Sequence, residues 1–126
     1  MDVLVDTSVW IDHFRNGNAE LIQLLTLDHA LTYPMVIGEI ACGTPPAPRA
    51  QKLANIGLLR RSHQASIEEV LDFIEREQLY GLGCGLVYFS LLASTLITPK
   101  TQLWTLDKRL KDIAVHFNVS YGQLRH

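Results

Sequence analysis

Short apolar runs in this chain alternate with stretches in which apolar residues recur every three or four positions. The first run, Met1-Asp2-Val3-Leu4-Val5, is too brief for an amphipathic helix and reads as a buried strand. It ends in Asp6-Thr7-Ser8, which are helix-capping residue types, and a helix carrying Val9, Trp10, Ile11 and Phe14 follows as far as Asn16-Gly17. Glu20 to Leu27 repeats the helical period with Leu21, Leu24 and Leu25. Ala30 to Tyr33 is brief and β-like; Pro34, at home in a first helical turn, then opens a helix through Val36, Ile37, Glu39, Ile40 and Ala41 that ends near Gly43. TPPAP at 44–48 breaks the chain, and a helix resumes from Arg49 to Leu58. Past a loop at 62–66, Ser66 with Glu69 makes a capping-box pattern for a helix with Ile67, Val70, Leu71 and Ile74 on one face. Gly81-Leu82-Gly83 precedes a helix from Leu86 to Leu96 that is apolar nearly all round, hence central, and Thr98-Pro99 ends it. Gln102 to Leu106 reads as a strand, Asp107 opens a basic helix with Leu110, Ile113 and Ala114, and Val115 to Val119 is expected to form a last edge strand.

Short apolar strands separated by helices point to an α/β fold, an α/β/α sandwich with a central, mainly parallel sheet. The 126 residues suit one domain spanning 1–126, with no internal repeat and no linker. A hydrophobic share of 48% and a charged share of 19% exclude a disordered chain. The net charge of −2 supplies no general attraction to nucleic acid, so a polyanion must meet a local patch, with Arg49, Lys52, Arg60, Arg61, Lys108, Arg109 and Lys111 as candidates. Cys42 and Cys84 lie in apolar company without CxxC spacing and read as reduced core residues. The start MDVLVD lacks the basic and apolar regions of a secretory signal, and no run reaches membrane-spanning length; a cytoplasmic protein is the expectation.

Three acids change the picture. Asp6 and Asp107 each end a strand and begin a helix, at the carboxyl edge where open α/β sheets bind ligands, although aspartate is also a routine cap there. Glu39 sits in a helix among apolar neighbours. Carboxylates brought together repel one another, and a hard divalent cation, Mg²⁺ or Mn²⁺, is what such a pocket takes, a chemistry suited to phosphodiester hydrolysis. His13, His29, His63, His116 and His126 show no i,i+4 pairing and no cysteine companions, which argues against zinc. GLGCG at 81–85 lacks the spacing of a dinucleotide fingerprint, and neither a GxxxxGK[ST] loop nor a GxSxG elbow is present.

LVDTSVWIDHFR, YPMVIGEIACG, GLGCGLVYFSLLAS and LWTLDKRL, in that order along nearly the whole chain, resemble the successive blocks of a PIN-domain ribonuclease, specifically the VapC toxin of a type II toxin–antitoxin pair. The resemblance implies an endoribonuclease in which Asp6, Glu39 and Asp107 are catalytic and hold Mg²⁺ or Mn²⁺, with Ser8 and Thr105 orienting a carboxylate or water. A further acid of the family pattern falls where this chain has Tyr88. A phenol is neutral at pH 7, offers a cation no charge and is bulkier than a carboxylate, so the implied activity is impaired unless another acid such as Asp12 substitutes. Aspartate and tyrosine codons differ by one base.

The resemblance further implies an RNA substrate such as tRNA, with Arg49, Lys52 or Lys108 positioning its backbone, a VapB antitoxin as partner, and a homodimer. Trp10, Phe14 and the second short helix are candidates for an antitoxin groove. A PIN-fold module that docks antitoxin or RNA without cutting is the alternative.

Overall fold

The computed structural model describes residues 1–122. Its elements run β1 (Asp2–Val5), α1 (Thr7–Asn16), α2 (Ala19–Thr26), β2 (Ala30–Leu31), α3 (Pro34–Cys42), α4 (Arg49–Gly57), α5 (Ile67–Arg76), α6 (Leu86–Ile97), β3 (Thr101–Trp104) and α7 (Lys108–His116). The strands form one parallel sheet in the order β2-β1-β3, with Val3 opposite Ala30 and Val5 opposite Trp104. Helices around a parallel sheet make this the expected α/β, PIN-like sandwich.

β1 is central and covered on both faces, which is why Val3, Leu4 and Val5 are consecutive and all buried. α6 packs on β3 and against α5, and its residues from Phe89 to Thr95 are buried without a break. Such a helix must satisfy its own polar groups: Thr95 Oγ1 donates to the Leu91 carbonyl at 2.8 Å, and Ser94 Oγ accepts the Ala65 amide at 3.1 Å, strapping the 62–66 segment onto the helix. α1 packs against α3, and α3 against α4. Among the described residues no helix is long and apolar enough to cross a membrane.

Several expected boundaries shift. The segment 115–119 is not a strand: α7 continues through His116 because Leu110 and Ala114 keep the helical period, Asn118 turns at φ 60°, and a single parallel bridge joins Ser120 to Leu103. β3 stops at Trp104, since the Leu106 amide is taken by Ser8 Oγ at 2.9 Å. On α5 the buried face is Val70 with Phe73, while Ile67 and Leu71 are exposed. Its capping box is complete: Ser66 Oγ accepts the Glu69 amide at 3.1 Å, and Glu69 Oε1 accepts the Ser66 amide at 2.9 Å. Cys42, expected in the core, is exposed at the end of α3, whereas Cys84 is half-buried, and both are free thiols. His126 lies outside the described residues.

Candidate active site

Asp6 and Asp107 follow adjacent strands, and each caps the helix after it. Asp6 Oδ2 accepts the Ser8 amide at 3.4 Å, and Asp107 Oδ1 accepts the Leu110 amide at 3.1 Å. The capping role anticipated for both is real, and it fixes their carboxylates at the carboxyl edge of the sheet.

Two hydroxyls knit the aspartates together. Ser8 Oγ donates to Asp6 Oδ2 at 2.7 Å and accepts the Leu106 amide at 2.9 Å; Thr105 Oγ1 donates to the same Oδ2 at 2.8 Å and accepts the Asp107 amide at 3.0 Å. Each hydroxyl has one proton, and each spends it on Asp6, so the 3.3 Å separation of Ser8 Oγ and Thr105 Oγ1 is a contact between neighbours on a common acceptor. All described hydrogen bonds to the Asp6 carboxylate converge on Oδ2, and Asp6 is the one charged side chain buried among the described residues.

Tyr88, in the first turn of α6, reaches this network directly: its Oη donates to Asp107 Oδ2 at 2.7 Å. That bond, followed by burial and by the charges of Asp107, Asp6 and Glu39, pushes the phenol well above its ordinary range. The same bond, with help from the Leu110 amide, holds the Asp107 carboxyl below the usual carboxylate range against the opposing effect of burial. Tyr88 thus stands in the field of all three acids.

Glu39 approaches from α3 and is exposed; its Oε1 accepts Thr7 Oγ1 at 3.1 Å. Beside it opens a cavity of about 240 Å³ lined also by Ile11, Phe14, Arg15, Ile40 and Thr44. Asp6, Ser8, Thr105, Tyr88 and Asp107 therefore form one hydrogen-bonded group, to which Glu39 is joined through Thr7, the residue next to Asp6. Asp12 is elsewhere: its carboxylate is held by Asn16 and Asn18 at 3.1 Å each, at the junction of α1 and α2, and it replaces no acid at the sheet edge.

The donor set is hard oxygen, the type that Mg²⁺ and Mn²⁺ take. Yet Tyr88 occupies Asp107 Oδ2, and among the described residues no group of three or more His, Cys, Asp or Glu side chains is arranged to hold a metal ion. In this arrangement the acids suit a hard cation in chemistry and do not fit one in geometry.

The basic residues divide. Arg49 caps the end of α3, donating to the Gly43 carbonyl at 3.0 Å and to that of Ala41, and so is taken. Lys52 lines a separate groove of about 300 Å³ with Trp10, Phe14, Leu25, Ile56 and Leu59. Trp10 is buried there with its indole N–H unpartnered. Lys108 is exposed beside Asp107. Thr7 had no mark in the sequence as a site neighbour, and Arg109 was marked only as one of several basic candidates. Thr7 lay between Asp6 and Ser8 with nothing to indicate Glu39 as its partner; Arg109, two positions past Asp107, donates Nη1 to the Gly83 carbonyl at 2.9 Å.

No protein-family model matches the chain. Two curated proteins do: each is called Ribonuclease VapC32, one from Mycobacterium tuberculosis strain CDC 1551 / Oshkosh and one from strain ATCC 25618 / H37Rv. Each is 38% identical over 124 residues, covering 96% of this chain and 97% of the relative.

Proposed function

Because the chain belongs to the VapC family of PIN-domain ribonucleases, we propose that it is an endoribonuclease toxin whose reaction centre is the carboxyl edge of the sheet at Asp6, Glu39 and Asp107, and that Tyr88 restrains it. The reading rests above all on one observation, the Tyr88 hydroxyl on Asp107 Oδ2 inside the field of the other two acids. Mg²⁺ or Mn²⁺ at these carboxylates would supply positive charge and an activated water for phosphodiester hydrolysis. In this chain Ser8 and Thr105 hold Asp6 in one orientation, Thr7 holds Glu39, and the phenol competes with a ligand for Asp107 Oδ2 while placing a neutral, bulkier group among the three carboxylates.

The family also supports a VapB antitoxin as partner, an RNA substrate with tRNA as the first to try, a homodimer, and a cytoplasmic site of action. The groove lined by Trp10, Phe14, Leu25, Ile56 and Leu59 is the surface we assign to the antitoxin, its apolar walls being suited to the hydrophobic face of a docked segment.

The test is RNA cleavage with Mg²⁺ or Mn²⁺ by this chain and by Tyr88→Asp. The variant is expected to cut roughly 100-fold faster, the scale of a misplaced reactive geometry restored. A second reading, a PIN-fold module that binds antitoxin or RNA without cutting, is favoured by the same phenol bond, and absence of cleavage by both proteins would select it.

A further inference from the structure

The acids of the proposed centre present RNA with a difficulty: three carboxylates at one edge repel the phosphate they are to approach, and the chain's net charge of −2 offers no general remedy. Cations at the rim of that edge are needed, and the structure narrows which ones serve. Arg60 is bound to Asp2 and Asp28, Arg76 to Asp72, and Arg49 to the Ala41 and Gly43 carbonyls at the end of α3. Lys52 faces the Trp10 groove, and Lys100 adjoins the amino end of the sheet, where its carbonyl accepts the Asp2 amide at 3.0 Å.

Arg61 and Lys111 are exposed, and no described side-chain contact directs either toward the acids. Two arginines are tied to the acidic edge, one by a shared cavity and one by a described contact. Arg15, in the last turn of α1, is exposed, has no hydrogen bond or ion pair among the described residues, and lines the cavity of about 240 Å³ that Glu39 also lines. Arg109, in the first turn of α7, is exposed and has no ion pair among the described residues; its one described side-chain hydrogen bond, Nη1 to the Gly83 carbonyl at 2.9 Å, aims the guanidinium beside Asp107 while the rest of the fork stays free. Lys108 adjoins Asp107 in sequence, but no described contact orients it.

We propose that Arg15 and Arg109 are the two ends of a clamp for the RNA backbone, one on the Glu39 side of the acidic edge and one on the Asp107 side, gripping phosphates that flank the one opposite the carboxylates. A planar guanidinium bonds two phosphate oxygens at once, so each end fixes orientation as well as supplying charge. These are phosphate contacts, and they position RNA without reading its sequence. The inference rests on the ribonuclease reading above.

The experiment is fluorescence anisotropy of a labelled single-stranded RNA of mixed sequence, titrated in EDTA across a series of KCl concentrations so that no cleavage enters. Arg15→Gln and Arg109→Gln are each expected to weaken binding several-fold at low salt and to reduce the slope of log Kd against log[KCl] by about 0.7, the single-strand value for one lost phosphate contact. Arg109→Lys should keep that slope, and Lys100→Gln, at the opposite, amino end of the sheet, should leave it unchanged. Unfolding midpoints in urea identify any variant whose loss is structural. RNA binding by the parent with unaltered slopes in Arg15→Gln and Arg109→Gln, or an equal loss in Lys100→Gln, overturns the clamp alone. Failure of the parent to bind the RNA at low salt overturns the ribonuclease reading and the clamp with it.

Discussion

Tyr88 gives Asp107 something no ionised carboxylate in its place would supply, a proton to share. The 2.7 Å bond lowers the Asp107 pKa and raises that of Tyr88, and both shifts describe stability. A depressed carboxyl contributes above its unfolded value of about 4, and the contribution is lost as pH falls through the lower folded value. A raised phenol contributes below its unfolded value of about 10, and that part is lost as pH climbs toward the higher folded one. Tyr88→Phe, which deletes the hydroxyl and keeps the ring, is therefore expected to lower stability by about 1 kcal/mol through the neutral range, discounted for a half-exposed site. Urea midpoints of parent and variant should run parallel from about pH 5 to pH 9 and converge below about pH 4; a gap still full at pH 2 would assign the effect to packing instead. The aspartates and Tyr88 were legible in the sequence because strand-end acids and a motif register mark them. The same motif register marked Thr105 as a hydroxyl beside an acid, and it donates to Asp6; the pair of Thr7 with Glu39 was not legible, since it joins residues 32 positions apart.

At the scale of elements, the entry into α6 decides where Tyr88 stands. Gly81 and Gly83 both adopt φ 77°, the left-handed region where a side chain is strained, but their surroundings differ. A Cβ on Gly81 would meet nothing within 4 Å, whereas one on Gly83 would lie 2.8 Å from Arg109 Nη1. Gly81→Ala is expected to cost about 1 kcal/mol from backbone strain alone. Gly83→Ala should cost that and also displace the guanidinium, so it should weaken binding of the RNA probe while Gly81→Ala does not; equal effects of the two on binding would remove Arg109 from the rim. Periodicity located every helix, because burial of one stripe is what each helix is for. It failed where two patterns overlap: Val115 to Val119 is β-branched enough to suggest a strand, yet Leu110 and Ala114 carry the helical period as far as His116, and the chain then turns at Asn118. On α5 a four-residue apolar face was read from Ile67, Val70, Leu71 and Ile74, whereas the buried pair is Val70 and Phe73, since contact with α6 selects which side of a doubly apolar helix is covered.

For the whole molecule, the two edges of the sheet handle their charges in opposite ways. At the amino edge Asp2 is paired, with Arg60 at 2.9 Å and His29 at 3.6 Å, and Arg60 lowers its pKa first of all. At the carboxyl edge Asp6, Glu39 and Asp107 have hydroxyl and amide partners and no ion pair among the described residues. A fold that forms ion pairs at one end and none at the other fits the reaction centre proposed for the second, at some expense in stability. Replacing Tyr88 by aspartate carries that imbalance further, since it removes the phenol's hydrogen bond and adds a fourth negative charge to a crowded edge. Tyr88→Asp is accordingly expected to melt below the parent in EDTA. Mg²⁺ or Mn²⁺ should raise its Tm with the logarithm of metal concentration above Kd, with about 2.7 kcal/mol gained at a hundredfold excess, and should move the parent little, because there the edge has one carboxylate fewer and the phenol shares Asp107 Oδ2. Thermal melts of both proteins across a metal titration separate the possibilities: equal metal-induced shifts would mean that the phenol does not obstruct the site, and no shift in the variant would mean that the four acids do not meet at one ion.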